Sequence, residues 1–146
     1  MNNNPNKTSI GMEGNLAALL SYIIGIVGLI VLITEKENKF VKFHALQAFL
    51  FHIAFIPIFI LAFILFFVFN IIGGVIAAAL GSAGSIVGVI FSILGIIIWI
   101  AALIIGPLTI LGGSIYGGIQ AYNGRWFKFP IFGNLALKLL KITIPQ

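Results

Sequence analysis

Few side chains in this sequence could do chemistry, and three of them stand close together. His44, Gln47 and His52 lie within NKFVKFHALQAFLFH, residues 38–52. A helix beginning near Phe43 turns by about 100° per residue, which gathers His44, Gln47, Ala48, Phe51 and His52 into an arc of roughly 140°. Phe55 and Phe59 extend that face, so it starts polar and becomes aromatic with depth. Two readings follow. An imidazole exchanges protons near neutral pH, so the face is either a polar lining or proton acceptor at the mouth of a pathway. Alternatively, His44 and Gln47 satisfy backbone groups of the C-terminal tail while His52 hydrogen-bonds another helix, as polar groups at membrane depth generally must. A shared metal ion is not expected. The two histidines are separated by about 12 Å of helix rise, and the apolar runs hold no carboxylate to join them.

Other chemistries find little support. The absence of cysteine excludes disulfides, thiol catalysis and thiolate ligation. The only acids are Glu13, Glu35 and Glu37, too few and too close to the chain's start for a paired-carboxylate mechanism within the apolar block. Ser82, Ser85, Ser92 and Ser114 have no histidine near them in sequence, and no glycine-rich phosphate loop ending in Lys-Ser/Thr is present. The chain is therefore expected not to be an enzyme and to need no cofactor. Its net charge of +5 is spread over short segments beside apolar runs. That distribution reads as membrane topology and offers no basic face to nucleic acid.

The elements that must position these residues are apolar. Of the 146 residues, 61% are hydrophobic and 8% charged, against about 25% charged in average soluble domains. Mean hydropathy is +1.22, and residues 43–124 contain no Asp, Glu, Lys or Arg. About 20 apolar residues cross a bilayer as a helix. The fold class expected is an all-α integral membrane protein. A polar N-terminus over 1–15 is expected to be disordered, with Asn15 capping the first span. A membrane domain over 16–124 follows, comprising 16–33, 44–69 with a kink at Pro57, a Gly/Ala/Ser-rich segment 71–95, and 96–122 with a kink at Gly106-Pro107. An interfacial basic and aromatic tail, 125–146, closes the chain and holds a short surface helix over 135–142. Gly74, Ala78, Gly81, Ser85, Gly88, Ser92 and Gly95 recur at spacings of three and four, the small-residue stripe of a glycine zipper that lets membrane helices approach closely. Within it, Gly81-Ser82-Ala83-Gly84-Ser85 is a turn signal. The expected architecture is three transmembrane helices plus a re-entrant or shallow hairpin at 71–95, with four full crossings as the alternative. With three, every Lys and Arg except Lys7 falls on one side, which the positive-inside rule favours. Lys39, Phe40, Lys42 and Phe43 would anchor one interfacial edge and Arg125, Trp126 and Lys128 another on the same face.

Three stretches carry a resemblance: Asn15-Leu-Ala-Ala-Leu-Leu, Glu35-Lys-Glu-Asn-Lys-Phe-Val-Lys-Phe-His-Ala-Leu-Gln-Ala, and Gln120-Ala-Tyr-Asn-Gly-Arg-Trp-Phe-Lys-Phe-Pro-Ile-Phe-Gly-Asn-Leu. Over about 15–69 and 96–135 the chain resembles the small prokaryotic membrane proteins related to the twenty-kilodalton subunit of the chloroplast inner-envelope translocon, the Tic-twenty family. The resemblance implies three or four helices and, by analogy with the plant subunit, association with protein translocation. The function expected is that of a small structural or translocation-related membrane subunit acting by helix packing; the alternative is an oligomeric channel or transporter for a small solute or ion. The bilayer, further copies of the chain and other membrane proteins are the expected partners. The expected location is the plasma membrane of a prokaryote, with the 34–43 loop and the tail in the cytoplasm.

Overall fold

The computed structural model describes residues 7–144, and the secondary structure among them is helical throughout: α1 (Gly14–Ile23), α2 (Gly25–Thr34), α3 (Lys39–Ile53), α4 (Phe55–Tyr122) and α5 (Phe132–Leu140). The chain falls into two compact units, one formed by residues up to Ile53 together with those from Ile110 onward, the other by Ala54–Thr109.

Helix boundaries follow local chemistry. The expected span 16–33 is two helices, because Ile24 adopts an extended conformation (φ −126°, ψ 100°). Paired β-branched residues followed by Gly25 make a weak point in a helix. The expected span 44–69 begins earlier, at Lys39, where the Asn38 carboxamide accepts the amide of Val41 at 3.2 Å as an N-cap. It is interrupted at Ala54. Pro57 explains that interruption, since its ring crowds the carbonyl four residues back, at Ile53. Pro57 itself then sits in the first turn of α4, where its missing N–H costs nothing. At Gly106-Pro107, where a kink is expected, the backbone remains helical. Asn123-Gly124 does end the helix. Gly124 is left-handed (φ 71°), its amide reaches Ala121 O at 3.0 Å and that of Arg125 reaches Gln120 O at 3.0 Å, a Schellman cap.

In the first unit, α3 is wrapped by α1, α2 and α5, and its Phe40, Val41, Phe43, His44, Ala45, Leu46, Gln47, Ala48 and Phe51 are all buried. Residues 7–13, expected to be disordered, are ordered. Thr8 exchanges hydrogen bonds with Met12, and Ser9 is held by Glu35. Residues 1–6 of that expected segment lie outside the described residues. Asn15 does not cap α1: Glu13 holds that position, and Asn15 lies inside the helix with a buried Oδ1 that has no hydrogen-bond partner. The tail helix runs from 132 to 140 rather than 135 to 142, and it buries Gly133 and Ala136, with Ala136 packed beside Phe43 and Leu46.

The second unit is a helical hairpin. Gly81 is the one residue of α4 with non-helical dihedrals (φ 57°, ψ −133°). The arms 55–80 and 82–109 run back from it side by side, shown by ring contacts Phe69–Phe91 (5.9 Å) and Phe63–Trp99 (5.4 Å). The hairpin is thus not confined to 71–95: an arm of 26 residues rises about 39 Å, more than the roughly 30 Å hydrocarbon core of a bilayer. Nothing near 70 or 96 breaks the helix, and the Asn70 carboxamide is satisfied within it by donating to Phe66 O at 2.8 Å.

The expected packing stripe is corrected in phase. A Cβ on Gly88 would stand 2.7 Å from Gly73 O, and one on Gly95 would stand 3.1 Å from Phe66 O and from Phe69 Cβ, so both lie in the seam. Gly84 lies there too, against Ile76 and Leu80, while a Cβ on Gly74 would meet nothing within 4 Å. Ala78, Ser85 and Ser92 are not buried, and Ser85 returns its hydroxyl to Gly81 O at 3.1 Å. The expected stripe runs through Gly81, and the turn there resets helical phase.

Candidate functional site

The polar side chains of α3 converge, in the first unit, on the chain that follows α4. The Gln47 Oε1 accepts the amide of Phe129 at 3.1 Å; its Nε2 donates to Phe127 O at 3.2 Å and also to the hydroxyl of Tyr22 on α1. That hydroxyl lies 3.1 Å from His44 Nδ1, and His44 Nε2 lies 3.0 Å from Arg125 O. Proton positions follow from the inventory of donors. A carbonyl can only accept, so His44 Nε2 carries a proton; in a neutral ring Nδ1 then accepts from Tyr22, whose oxygen in turn accepts from Gln47. Every donor and acceptor in the set has a partner. Tyr22, His44 and Gln47 are fully buried.

The consequence is mechanical. Residues 125–129 form no regular structure, so their main-chain groups need outside partners once buried. Side chains of α3 supply them, latching RWFKF onto the helix. The aromatic rings close around this latch. Trp126 packs between Phe40 (5.3 Å) and Phe43 (5.4 Å), and Phe129 stacks on Phe51 (4.9 Å, 11°). Two glycines make room. A Cβ on Gly117 would stand 2.7 Å from the Tyr22 ring, and one on Gly133 would stand 2.5 Å from Gln47 Oε1.

His52 is apart from this set. Its Nδ1 lies 2.8 Å from Ala48 O and must donate to it, leaving Nε2 to accept from the Ser114 hydroxyl at 3.2 Å. A hydroxyl beside an imidazole is the beginning of a nucleophilic pair. Ser114, however, is only 7% exposed, leaving a substrate no approach. The pair ties two helices together.

The expected anchors divide. Phe40 and Phe43 are interior rather than interfacial, because the tail covers them. Lys39, Arg125 and Lys128 are exposed, and Lys42 and Trp126 are half-buried. Arg125 Nη1 reaches Gln120 Oε1 at 3.3 Å.

A second polar cluster lies around Glu35, and no motif in the sequence marks it. Glu35, 2% exposed, accepts from the Ser9 amide (2.7 Å) and hydroxyl (2.8 Å) and from the amides of Glu37 (3.0 Å) and Asn38 (2.9 Å). Asn38 Nδ2 donates to Lys7 O at 3.1 Å. Burial pushes the Glu35 carboxyl up, but the hydrogen bonds from Asn38, Ser9 and Glu37 outweigh it and hold the group below its ordinary value. Tyr22 is equally unmarked, since a tyrosine inside an apolar run carries no signal of its partner. Among the described residues no group of three or more His, Cys, Asp or Glu side chains is placed to hold a metal ion.

Comparison with known proteins gives a frame for these features. The model of the magnetosome magnetite crystal formation protein family, MamF/MmsF, matches residues 6–136. A UPF0132 membrane protein of the archaeon Methanocaldococcus jannaschii is 32% identical over 129 residues, spanning 88% of this chain and 71% of its own length. A second from the same organism is 30% identical over 140 residues (89% and 91%), and one from Archaeoglobus fulgidus is 33% identical over 126 (86% and 93%). Nothing in these names concerns a translocon. No solved structure matches the chain.

Proposed function

The chain belongs to the MamF/MmsF family, and its archaeal relatives are named as membrane proteins; from that premise we propose that it is a structural membrane subunit that crosses the bilayer twice and acts through helix packing rather than catalysis. The latch carries this reading. Because His44 and Gln47 bond the main chain at 125, 127 and 129, the start of α3 and the tail meet, and an even number of crossings must separate them. The arms flanking Gly81 supply two. Residues 14–34 are not read as a third: α1 and α2 fold back at Ile24, where a Cβ on Gly28 would stand 3.4 Å from Ser21 O, and Ser9 and Lys7 bond Glu35 and Asn38, so both ends of that segment lie on one side. The charge-free surface of the hairpin supports immersion in lipid: Ile56, Leu61, Phe63, Val75, Ile86, Ile97 and Ile105 are among its exposed side chains, an apolar expanse that water does not tolerate.

On this reading the 34–43 loop and the tail face the cytoplasm of a prokaryotic cell, as the positive-inside rule favours. The family's description concerns magnetite crystal formation. The residues of this chain support a membrane-scaffolding part in such a process better than direct handling of iron. Translocation and conduction are less well supported. The glycines a pore would expose, Gly84, Gly88 and Gly95, are consumed by contact between the arms.

Single cysteines at Glu37, Ser82 and Pro130, probed with a membrane-impermeant thiol reagent in intact cells and inverted vesicles, test the topology. Positions 37 and 130 are expected to label together and 82 from the opposite side. Labelling of 37 and 130 from opposite sides would overturn the two-crossing reading.

A further inference from the structure

One groove of the first unit takes no part in the latch. It measures about 470 Å³ and is lined by Lys36, Glu37, Lys39, Lys42, Leu140, Lys141 and Ile142. Four lysines and one glutamate line it, with Leu140 and Ile142 as apolar neighbours. The volume lies within the range of small-molecule sites.

The backbone adds an independent observation. Lys141 adopts a left-handed conformation (φ 53°, ψ 43°), the only non-glycine residue with positive φ among those described. It ends α5 in the same manner as Gly124 ends α4: the amide of Ile142 reaches Leu137 O at 3.1 Å and that of Lys141 is directed at Lys138 O. Glycine fills such a position without steric cost and a lysine does not. A strained residue at a groove lined by three further lysines points to a use for its side chain.

We propose that this groove binds the phosphate headgroup of an anionic phospholipid, with Lys36, Lys39, Lys42 and Lys141 as the cationic ring and Leu140 and Ile142 against the start of the acyl chains. The proposal rests on the membrane reading above and names its lipid class. Lysines serve phosphate as mobile point charges, and clusters of four or more beside a membrane helix favour anionic lipid. The hydrogen-bonded carboxylate of Glu35 fixes the turn carrying Lys36 by accepting the amides of Glu37 and Asn38, so one wall of the groove is preformed.

The test uses the full-length chain in a mild non-ionic detergent. Phosphatidylglycerol, phosphatidylcholine and inorganic phosphate are titrated separately, and binding is read by native mass spectrometry and thermal shift. Phosphatidylglycerol is expected to bind and stabilise, and the other two are not. Lys141→Gly should raise the melting temperature of the lipid-free protein yet weaken phosphatidylglycerol binding about fivefold, and K36Q/K39Q/K42Q/K141Q should weaken it about a hundredfold or more. Lys7→Gln should leave it unchanged. Equal binding of the two lipids, full binding by the quadruple variant, or an equal response to inorganic phosphate would each overturn the proposal. Carbonate extraction separates this failure from that of the membrane reading: a variant that stays in the membrane pellet without lipid preference refutes the groove alone, whereas release of the unmodified chain refutes the reading beneath it.

Discussion

The two units are fastened by opposite means. In the first, α3 is enclosed on nearly every side, and the buried side chains of His44 and Gln47, joined through Tyr22, hold the tail by directional bonds. In the second, the buried positions are Ala62 and the glycines 73, 84, 88, 95 and 106, while the large side chains face outward. Lipid offers helices no hydrophobic incentive to associate, so membrane packing relies on close backbone approach and on hydrogen bonds. The second unit uses the first of these alone; the first unit, where Gly28 brings α2 against the Ala45 carbonyl, adds the second. The glycine seam lets two helices touch along their length without specifying what covers them. The latch allows only one arrangement, because a partly satisfied polar network is costlier than none. A unit that must hold an irregular segment needs the second device; a hairpin does not.

The largest effect is expected from Gln47→Leu. It leaves the amide of Phe129 and the carbonyl of Phe127 without their partner and removes a donor from Tyr22. Each buried orphan costs about 1–3 kcal/mol, so a loss of roughly 3–6 kcal/mol should appear in thermal or denaturant unfolding in detergent. Hydrogen exchange should quicken at 125–129 and stay slow across 73–88. If exchange quickens equally in both places, the two units are not separately fastened and the contrast fails.

Gly88→Leu is the converse test. Its side chain would begin 2.7 Å from Gly73 O, and overpacking of this kind costs about 1–3 kcal/mol. The change should loosen the hairpin and spare the latch. Gly74→Leu, with nothing within 4 Å of the new Cβ, is the matched control and should change stability by less than about 0.5 kcal/mol. Equal losses from the two would mean that bulk rather than the seam is being measured.

The same contrast explains what the sequence disclosed. The helical class, the charge-free block and the Asn123-Gly124 stop depend on composition and short-range chemistry, and all are legible. That NKFVKFHALQ meets RWFKF was readable from their matching aromatic and basic content. The latch's third member was not, because Tyr22 is separated from Gln47 by 25 residues and nothing local marks it. Phe40 and Phe43 read as anchors because interfacial and interior aromatics look alike until the tail is in place. The glycine seam was legible in part. Counted from beyond the turn, Gly84, Gly88, Gly95 and Gly106 fall within about 40° of one another at 100° per residue. Gly81 breaks the phase that would join that face to the residues before it.

Acid provides a gentler probe of the first unit. The Glu35 carboxyl is held below its ordinary value in the folded chain. A lowered carboxyl contributes stability that is present above its unfolded value, about 4.3, and lost as pH falls through the folded value. The strap formed by Ser9 on Glu35 should therefore loosen only below about pH 4, the unfolded range. Exchange of the Ser9 and Asn38 amides, corrected for intrinsic rate, reads this directly. Glu35→Gln should abolish the pH dependence and leave the hairpin unaffected. A strap that loosens between pH 7 and 5 would point to a different titrating group.

The smallest effect is expected at His52, and it discriminates between the two meanings a membrane histidine can have. His52 Nε2 accepts from Ser114 and Nδ1 donates to Ala48 O, while its ring rests where a Cβ on Gly25 would stand 2.8 Å away. If its work is to join helices, His52→Ala should cost about 1 kcal/mol, the net worth of one hydrogen bond, and Ser114→Ala should cost about the same. The double variant should cost no more than His52→Ala alone, since the His52–Ser114 bond is lost in both single variants. A histidine that moves protons would behave otherwise. Its loss would leave stability nearly unchanged and abolish a proton flux in reconstituted vesicles, and Ser114→Ala would not reproduce that loss. Non-additive stability with no change in proton permeability would class His52 with the latch, as a second polar fastening in a unit built on them.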